Sequence, residues 1–244
     1  TPSRASMLTG KSVPGHGVYR LYDNLPENEQ LFSKRLQSHG YHTALFGKLH
    51  VSGRLYEGAR RHPGDGFDTY EWCMEPSIHL DSPFNGYRQW LEKVSPRHLD
   101  GLQKLGRKLT HVPREVHMTH WAAERTIDYI RNAKRDRPFF CLTSIFDPHN
   151  PYDGYPREMR ARVKPELLAE PLPISGGMAG KPYGLRQEHE RSYLGAFSKF
   201  SRAELMEMRL GYFASVALMD LEFGRILQAL EDKVIANLVG ADFA

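Results

Sequence analysis

HMTHWAAERTIDYIRNAKR (117–135), followed almost at once by RPFFCLTSIF (137–146), decides the fold class. In the first segment Trp121, Ile127 and Ile130 fall on or near one stripe at helical spacing, and charges occupy the other side. That is the pattern of an amphipathic helix. The second segment is a nearly continuous apolar run, as expected of a buried strand in a parallel sheet. Helices alternating with such strands argue for an α/β domain with a mainly parallel sheet flanked by helices.

The same pairing occurs upstream. ENEQLFSKRLQSHG (27–40) spaces Leu31, Phe32 and Leu36 nearly as a helix does and stops at a glycine. YHTALFG (41–47) follows as a short β-rich run. Residues 41–46 and 138–146 are therefore expected to be parallel neighbours or near-neighbours in the central sheet. FNGYRQWLEKV (84–94) reads as a short helix, and residues 202–233 as one long helix or two abutting ones. Residues 51–83 read as a long loop with little regular structure, and 150–200 as loop and connection. Residues 95–114 are basic and punctuated by Gly and Pro. They read as a solvated surface excursion, or as a rim that steers anions. VIANLVGADFA (234–244) is an apolar run after a helix, where another strand is expected. With no repeat and no linker, residues 1–244 read as one domain core.

Bulk composition narrows the functional classes. The 244 residues are enough for one large core, and 40% hydrophobic with 25% charged residues is ordinary for a globular protein. A formal charge of +4 suits an anionic substrate without requiring one. It is a weak basis for nucleic-acid binding, because the basic stretch 95–114 lacks interleaved aromatics. No apolar stretch approaches the ~20 residues that span a bilayer. Two cysteines, Cys73 and Cys141, make no disulfide framework, and Cys141 inside an apolar run reads as core.

Three stretches carry side chains suited to an anion. In TPSRASMLTG (1–10), Pro2 suits a first helical turn, and Arg4 adds a guanidinium fork where backbone N–H groups already favour negative charge. Taken alone, Arg4 reads more readily as a surface residue. The TGKS at 9–12 is not a phosphate-binding loop, since Ala5 stands where the leading glycine is needed. In GYHTALFGKLH (40–50), a strand ends, Gly47 turns, and Lys48 and His50 follow two apart, a spacing that lets both face one pocket in extended backbone. In SIFDPHNPYD (144–153), His149 follows the second strand between two prolines that fix its loop. Arg4, Lys48, His50 and His149 are expected to converge on one pocket. His117 and His120 are spaced for two metal ligands but lack a partner nearby, so they read as a helix-surface pair. EHE (188–190) reads as a solvated polar loop, and no G-x-S-x-G elbow is present.

Together these stretches resemble the sulfatase family of the alkaline phosphatase-like superfamily. Thr1-Pro2-Ser3-Arg4, Met7-Leu8 and Thr9-Gly10 fit the family's first signature from its second position onward. GYHTALFGKLH resembles the second signature, departing from it at Phe46 and Leu49, and DPHNPY is similar to the family's Pro-His-x-Pro loop. GFDTYEW (66–72) and residues 212–231 share the resemblance, which covers residues 1–232.

The resemblance implies a truncated sulfatase-like core. It places a Cys or Ser, oxidised to formylglycine, immediately before Thr1. It also implies a divalent cation, usually Ca²⁺, held by carboxylates outside this chain. Arg4 would hold the nucleophile's alkoxide, and Lys48 would bind sulfate oxygens. His50 would act as general base, and His149 would bind sulfate and assist the leaving oxygen. The substrate implied is a sulfate ester of a small molecule or glycan, with the 244-residue chain by itself inactive. Two alternatives stay open: a phosphonate or phosphate ester hydrolase of the same superfamily, and a non-catalytic anion- or glycan-binding remnant.

Overall fold

A computed structural model describes residues 1–105, 109–134, 136–170, 177–192 and 194–241. It divides into two compact units, one of residues 1–109, 114–146 and 219–244, the other of residues 110–113 and 147–218.

The first unit is built on a three-stranded parallel sheet, β1 (His42–Gly47), β2 (Thr69–Trp72) and β3 (Phe139–Ser144), in the order β2-β1-β3. β1 pairs with β3 in the register His42↔Phe139 through Gly47↔Ser144, so the two apolar runs are direct parallel neighbours, as expected. The central strand β1 is buried from Thr43 onward. β3 is only half-buried up to Thr143, short of the full burial its composition suggests. It pairs with β1 on one side, and among the described residues no strand covers its other edge.

The helices are α1 (Pro2–Thr9), α2 (Val13–His16), α3 (Phe32–Ser38), α4 (Arg54–Ala59), α5 (Gly86–Val94), α6 (Pro96–Leu105), α7 (Met118–Asn132), α8 (Arg157–Arg160), α9 (Tyr183–Arg191) and α10 (Arg202–Ala241). Pro2 opens α1, and left-handed Gly10 (φ 70°) closes it. The Asn85 side chain caps α5 by accepting from the Arg88 N–H at 2.9 Å. The His117 ring caps α7 by accepting from the Thr119 N–H at 3.2 Å. α7 buries Trp121, Ile127 and Ile130, the stripe read from its periodicity. One apolar cluster joins Ala5 and Leu8 of α1 to Leu45, Leu49, Phe67 and Trp72. Another joins Tyr87, Leu91 and Leu102 to Trp121. The two departures from the family pattern are core residues: Phe46 meets Tyr129 edge-on at 5.8 Å, and Leu49 is fully buried.

Several expectations are corrected. The stretch 51–83 contains α4 and β2, because Tyr56-Glu57 and Trp72 acquire partners that only tertiary contact supplies. The helix expected over 27–40 occupies only Phe32–Ser38. The basic stretch 95–114 is not a solvated excursion throughout, since α6 buries Leu99 and Leu102 in the core. Residues 106–108 of that stretch lie outside the described residues. The EHE triplet is on α9, not in a loop. The apolar run after the long helix continues α10 to Ala241 rather than forming a strand, and residues 242–244 lie outside the described residues.

The second unit holds α8, α9, two 3₁₀ turns and the first part of α10, where the 150–200 stretch was expected to be loop. The backbone N–H groups of His111 and Val112 donate to Asp153 and Gly154 carbonyls at 2.8 and 3.0 Å. Gly211 lets α10 press against the Tyr152 backbone, and Tyr152 meets Tyr212 edge-on at 5.8 Å.

Gly47 has the tightest local requirement in the sheet. Its φ is 111°, and a Cβ there would fall on the Ser144 carbonyl oxygen. Gly47→Ala is expected to cost at least about 2 kcal/mol, from left-handed backbone strain plus displacement of β3. Urea denaturation measures this, and a loss below about 0.5 kcal/mol, the level of an ordinary surface change, would contradict the close approach.

Candidate active site

The carboxyl ends of β1 and β3 meet at Gly47 and Ser144, where open parallel sheets hold ligands. The Lys48 N–H donates to the Ser144 carbonyl at 3.0 Å, extending the ladder one residue past β1. From α1, the Arg4 guanidinium donates through Nη2 to Ser144 Oγ at 2.5 Å. One serine thus ties the backbone of Lys48 and the side chain of Arg4 to the same strand end.

Lys48 is buried, and its ammonium lies 5.2 Å from the Phe146 ring centroid. Burial and the nearby Arg4 charge pull its pKa down to about 8, against the opposing charges of Glu75 and Glu57. Burial also lowers Arg4 from its ordinary value, with Glu57 opposing. Two cations held this close are each costlier alone than with an anion between them.

His50 is reached differently than expected. The chain is not extended there, for His50 has a left-handed φ of 55°. Its Nε2 lies 2.9 Å from Thr1 Oγ1, and that hydroxyl donates its own proton to the Leu21 carbonyl at 2.6 Å. Thr1 can therefore only accept from the ring. In the neutral imidazole this assigns the proton to Nε2 and the basic lone pair to Nδ1.

The left-handed turn rests on a residue that sequence reasoning missed. Glu57, on α4, is buried, and its carboxylate accepts from the N–H groups of His50 (2.8 Å), Val51 (2.7 Å) and Ser52 (2.9 Å). It also accepts from the Trp72 indole Nε1 at 3.0 Å. Burial raises its pKa, while the four donors favour the charged form. Ser144 was missed as well, though a polar residue closing an apolar strand was a visible signal. Glu57 gave none, because its partners are backbone groups assembled by folding.

The structure brings Arg4, Lys48 and His50 to one end of the sheet of the first unit. His149 belongs to the second unit, where it is exposed and its Nδ1 lies 2.7 Å from the Asn150 carbonyl. His117 and His120 are not a surface pair. His117 is buried as the cap of α7, and His120 Nδ1 lies 2.9 Å from the buried Glu222. Cys73 is buried with its thiol pKa pushed up, and burial raises Cys141 to about 11, so neither is a ready thiolate. Among the described residues no group of three or more His, Cys, Asp or Glu side chains could hold a metal ion. The donors present therefore do not fit a resident divalent cation. No helix of the described residues is long and apolar enough to cross a membrane.

The sequence model of the sulfatase family matches residues 1–237. An arylsulfatase of Clostridium perfringens (strain 13 / Type A) is 26% identical over 253 residues, covering 94% of this chain and 49% of that protein. The iduronate 2-sulfatase of Homo sapiens is 25% identical over 256 residues, covering 97% of this chain and 44% of that protein. Thus the chain spans about half the length of these two curated relatives. The fold is shared with the phosphonate monoester hydrolase of Silicibacter pomeroyi, with TM-score 0.70, 18% identity, and coverage of 95% of this chain and 50% of that one.

Proposed function

Because the chain belongs to the sulfatase family, we propose that it supplies the sulfate-binding and proton-handling residues of a sulfuric ester hydrolase. The observation that carries this reading is the meeting of two cations, half-buried Arg4 and buried Lys48, at the Ser144 end of the sheet that also holds His50. Fixed positive groups of this kind stabilise the charge that builds on a tetrahedral oxyanion.

In this reading Lys48 holds a sulfate oxygen, and Arg4, fixed by Ser144, orients the attacking oxygen. His50 receives a proton at Nδ1 while Nε2–H stays on Thr1. The formylglycine that the family resemblance places before Thr1 would supply the nucleophile. The adjacent Thr1 hydroxyl lies 2.9 Å from His50, which is in keeping with that position. The divalent cation, Ca²⁺ by resemblance, would take its ligands from outside the residues described, and no step here is routed through it. The role given to His149, assisting the leaving oxygen, rests on resemblance alone. The substrate class is a sulfate ester of a small molecule or glycan.

The experiment is to assay the full-length protein on an activated aryl sulfate beside the matching aryl phosphonate monoester. Higher kcat/KM on the sulfate supports the reading, and preference for the phosphonate by tenfold or more replaces it. The pH dependence gives an independent expectation. Lys48 loses its charge as pH rises through about 8, so kcat/KM is expected to fall on the alkaline side with a midpoint near that pH. A profile flat to pH 10 would show that Lys48 charge is not used.

A further inference from the structure

We propose that Glu57 is the positioning residue of this site: its buried carboxylate clamps the 50–52 backbone and thereby aims the His50 ring. The inference rests on the function proposed above for its catalytic meaning, but on geometry for its existence. Each carboxylate oxygen takes two donors. Oε2 accepts from His50 N–H and Trp72 Nε1–H, and Oε1 from the N–H groups of Val51 and Ser52. All four of these partners are donors, so none can accept a carboxyl proton, and the arrangement fits the carboxylate. Three successive N–H groups pointing inward form a turn that an ordinary loop would leave to water. Here they are pinned by one carboxylate, and His50 is held in its left-handed conformation, φ 55°.

The clamp is continuous with the rest of the site. Trp72 ends β2, so Glu57 joins the turn to the sheet. Ser52 Oγ accepts from Leu25 N–H at 2.9 Å, and Gly53 N–H donates to Asn24 Oδ1 at 3.1 Å, tying the turn to the 21–25 segment. That segment's Leu21 carbonyl holds the Thr1 hydroxyl, which holds His50. His50 is thus fixed from its backbone by Glu57 and from its ring by Thr1. Glu57 has a second effect. Its charge acts on both Arg4 and Lys48, opposing the mutual repulsion of the two cations. The charged groups acting on Lys48 are Arg4 from α1, Glu57 from α4 and Glu75 beyond β2, where the Cys73 thiol, pushed up by burial, stays neutral.

The decisive variant is Glu57→Gln, which is nearly isosteric but turns an amide N–H₂ toward two donors and removes the charge. Three readouts are taken on the full-length protein. The Lys48 ammonium is titrated by NMR of labelled lysine, and its midpoint is expected to fall by at least about half a pH unit below the wild-type value. Kinetics on an aryl sulfate at pH 6.5, where Lys48 is charged in both proteins, should show kcat down by about 30-fold with KM changed less than about threefold. Third, the wild-type amides of residues 50–52 should exchange with solvent at least about 100-fold more slowly than unstructured backbone. An unchanged Lys48 midpoint with unchanged kcat in a folded Glu57→Gln protein overturns the proposal. So does wild-type exchange at 50–52 as fast as in an open loop, which decides the matter even if the variant does not fold. Should the wild-type protein turn over no sulfate ester, the functional reading fails, while the lysine titration and amide exchange still judge Glu57.

Discussion

Lys48→Met is expected to lower kcat/KM for an aryl sulfate by about 10²–10³ while leaving thermal stability unchanged or higher. The loss follows from removing one of two fixed cations at a site where charge develops, each such donor contributing about 3–4 kcal/mol in a water-excluded setting. The stability expectation has the opposite sign for a physical reason. Lys48 is buried beside Arg4, and burial together with Arg4 depresses its pKa to about 8. Its charged form is therefore disfavoured by folding, and an apolar side chain of similar length removes that cost. A residue that merely held the fold together would lose stability and activity together. Melting curves and steady-state kinetics on the same preparation separate the two, and a fall in melting temperature accompanying full activity would reverse the assignment.

The largest expected loss of stability lies elsewhere, at Glu222 on α10. This carboxylate is fully buried and receives Arg114 Nε and His120 Nδ1 at its Oε1 (2.8 and 2.9 Å) and Arg225 Nη1 at its Oε2 (2.7 Å). Arg225 also pairs with Glu124 of α7. The network fastens α10 to α7 above the apolar contact of Ile226 and Ala229 with Ala123, Ile127 and Ile130. Glu222→Ala leaves a cluster of cations without their counter-charge and is expected to cost about 3–5 kcal/mol. The same group sets an acid limit. Burial alone would raise its pKa, but the hydrogen bonds from His120, Arg114 and Arg225 outweigh burial and bring it down to about 2. A depressed carboxylate contributes stability that is complete above its ordinary pKa of 4.5 and is lost as pH falls toward 2. The shift corresponds to on the order of 3 kcal/mol. Chemical denaturation at pH 6 and pH 3 checks both points: the wild type should weaken between them by more than the Glu222→Ala variant does. Equal weakening would mean that the network does not carry the acid dependence.

How much of this was legible in the sequence depended on the range of the interaction. The parallel pairing of β1 and β3 was legible because both are apolar runs that follow a helix. β2 was not: Thr69-Tyr70-Glu71-Trp72 is short and mixed in polarity, and its strand character comes from pairing with Ala44 through Gly47. Arg4, Lys48 and His50 were legible as chemistry at strand ends and helix starts. The left-handed backbone at His50 was not, since a turn of this kind normally advertises itself with glycine or asparagine. Glu57 and Glu222 were invisible for one common reason. A buried carboxylate is recognised by the donors around it, and those come from positions up to 108 residues away, as Arg114 does for Glu222. The histidines at 117 and 120 were misread for the same cause, their partners being a backbone amide and a distant helix.

The central claim is that Arg4, Lys48 and His50 form one site around the sulfate group, with Lys48 on a sulfate oxygen, Arg4 on the attacking oxygen and His50 as the proton acceptor. It is tested most directly by titrating inorganic sulfate into the full-length protein while following the Lys48 ammonium, the Arg4 guanidinium and the His50 ring by NMR at pH 6.5. The account predicts that these three signals shift together along one saturable isotherm, while the rings of His117 and His120 stay unmoved. Shifts confined to other residues, or no saturable shift of Lys48 at any sulfate concentration, would contradict it.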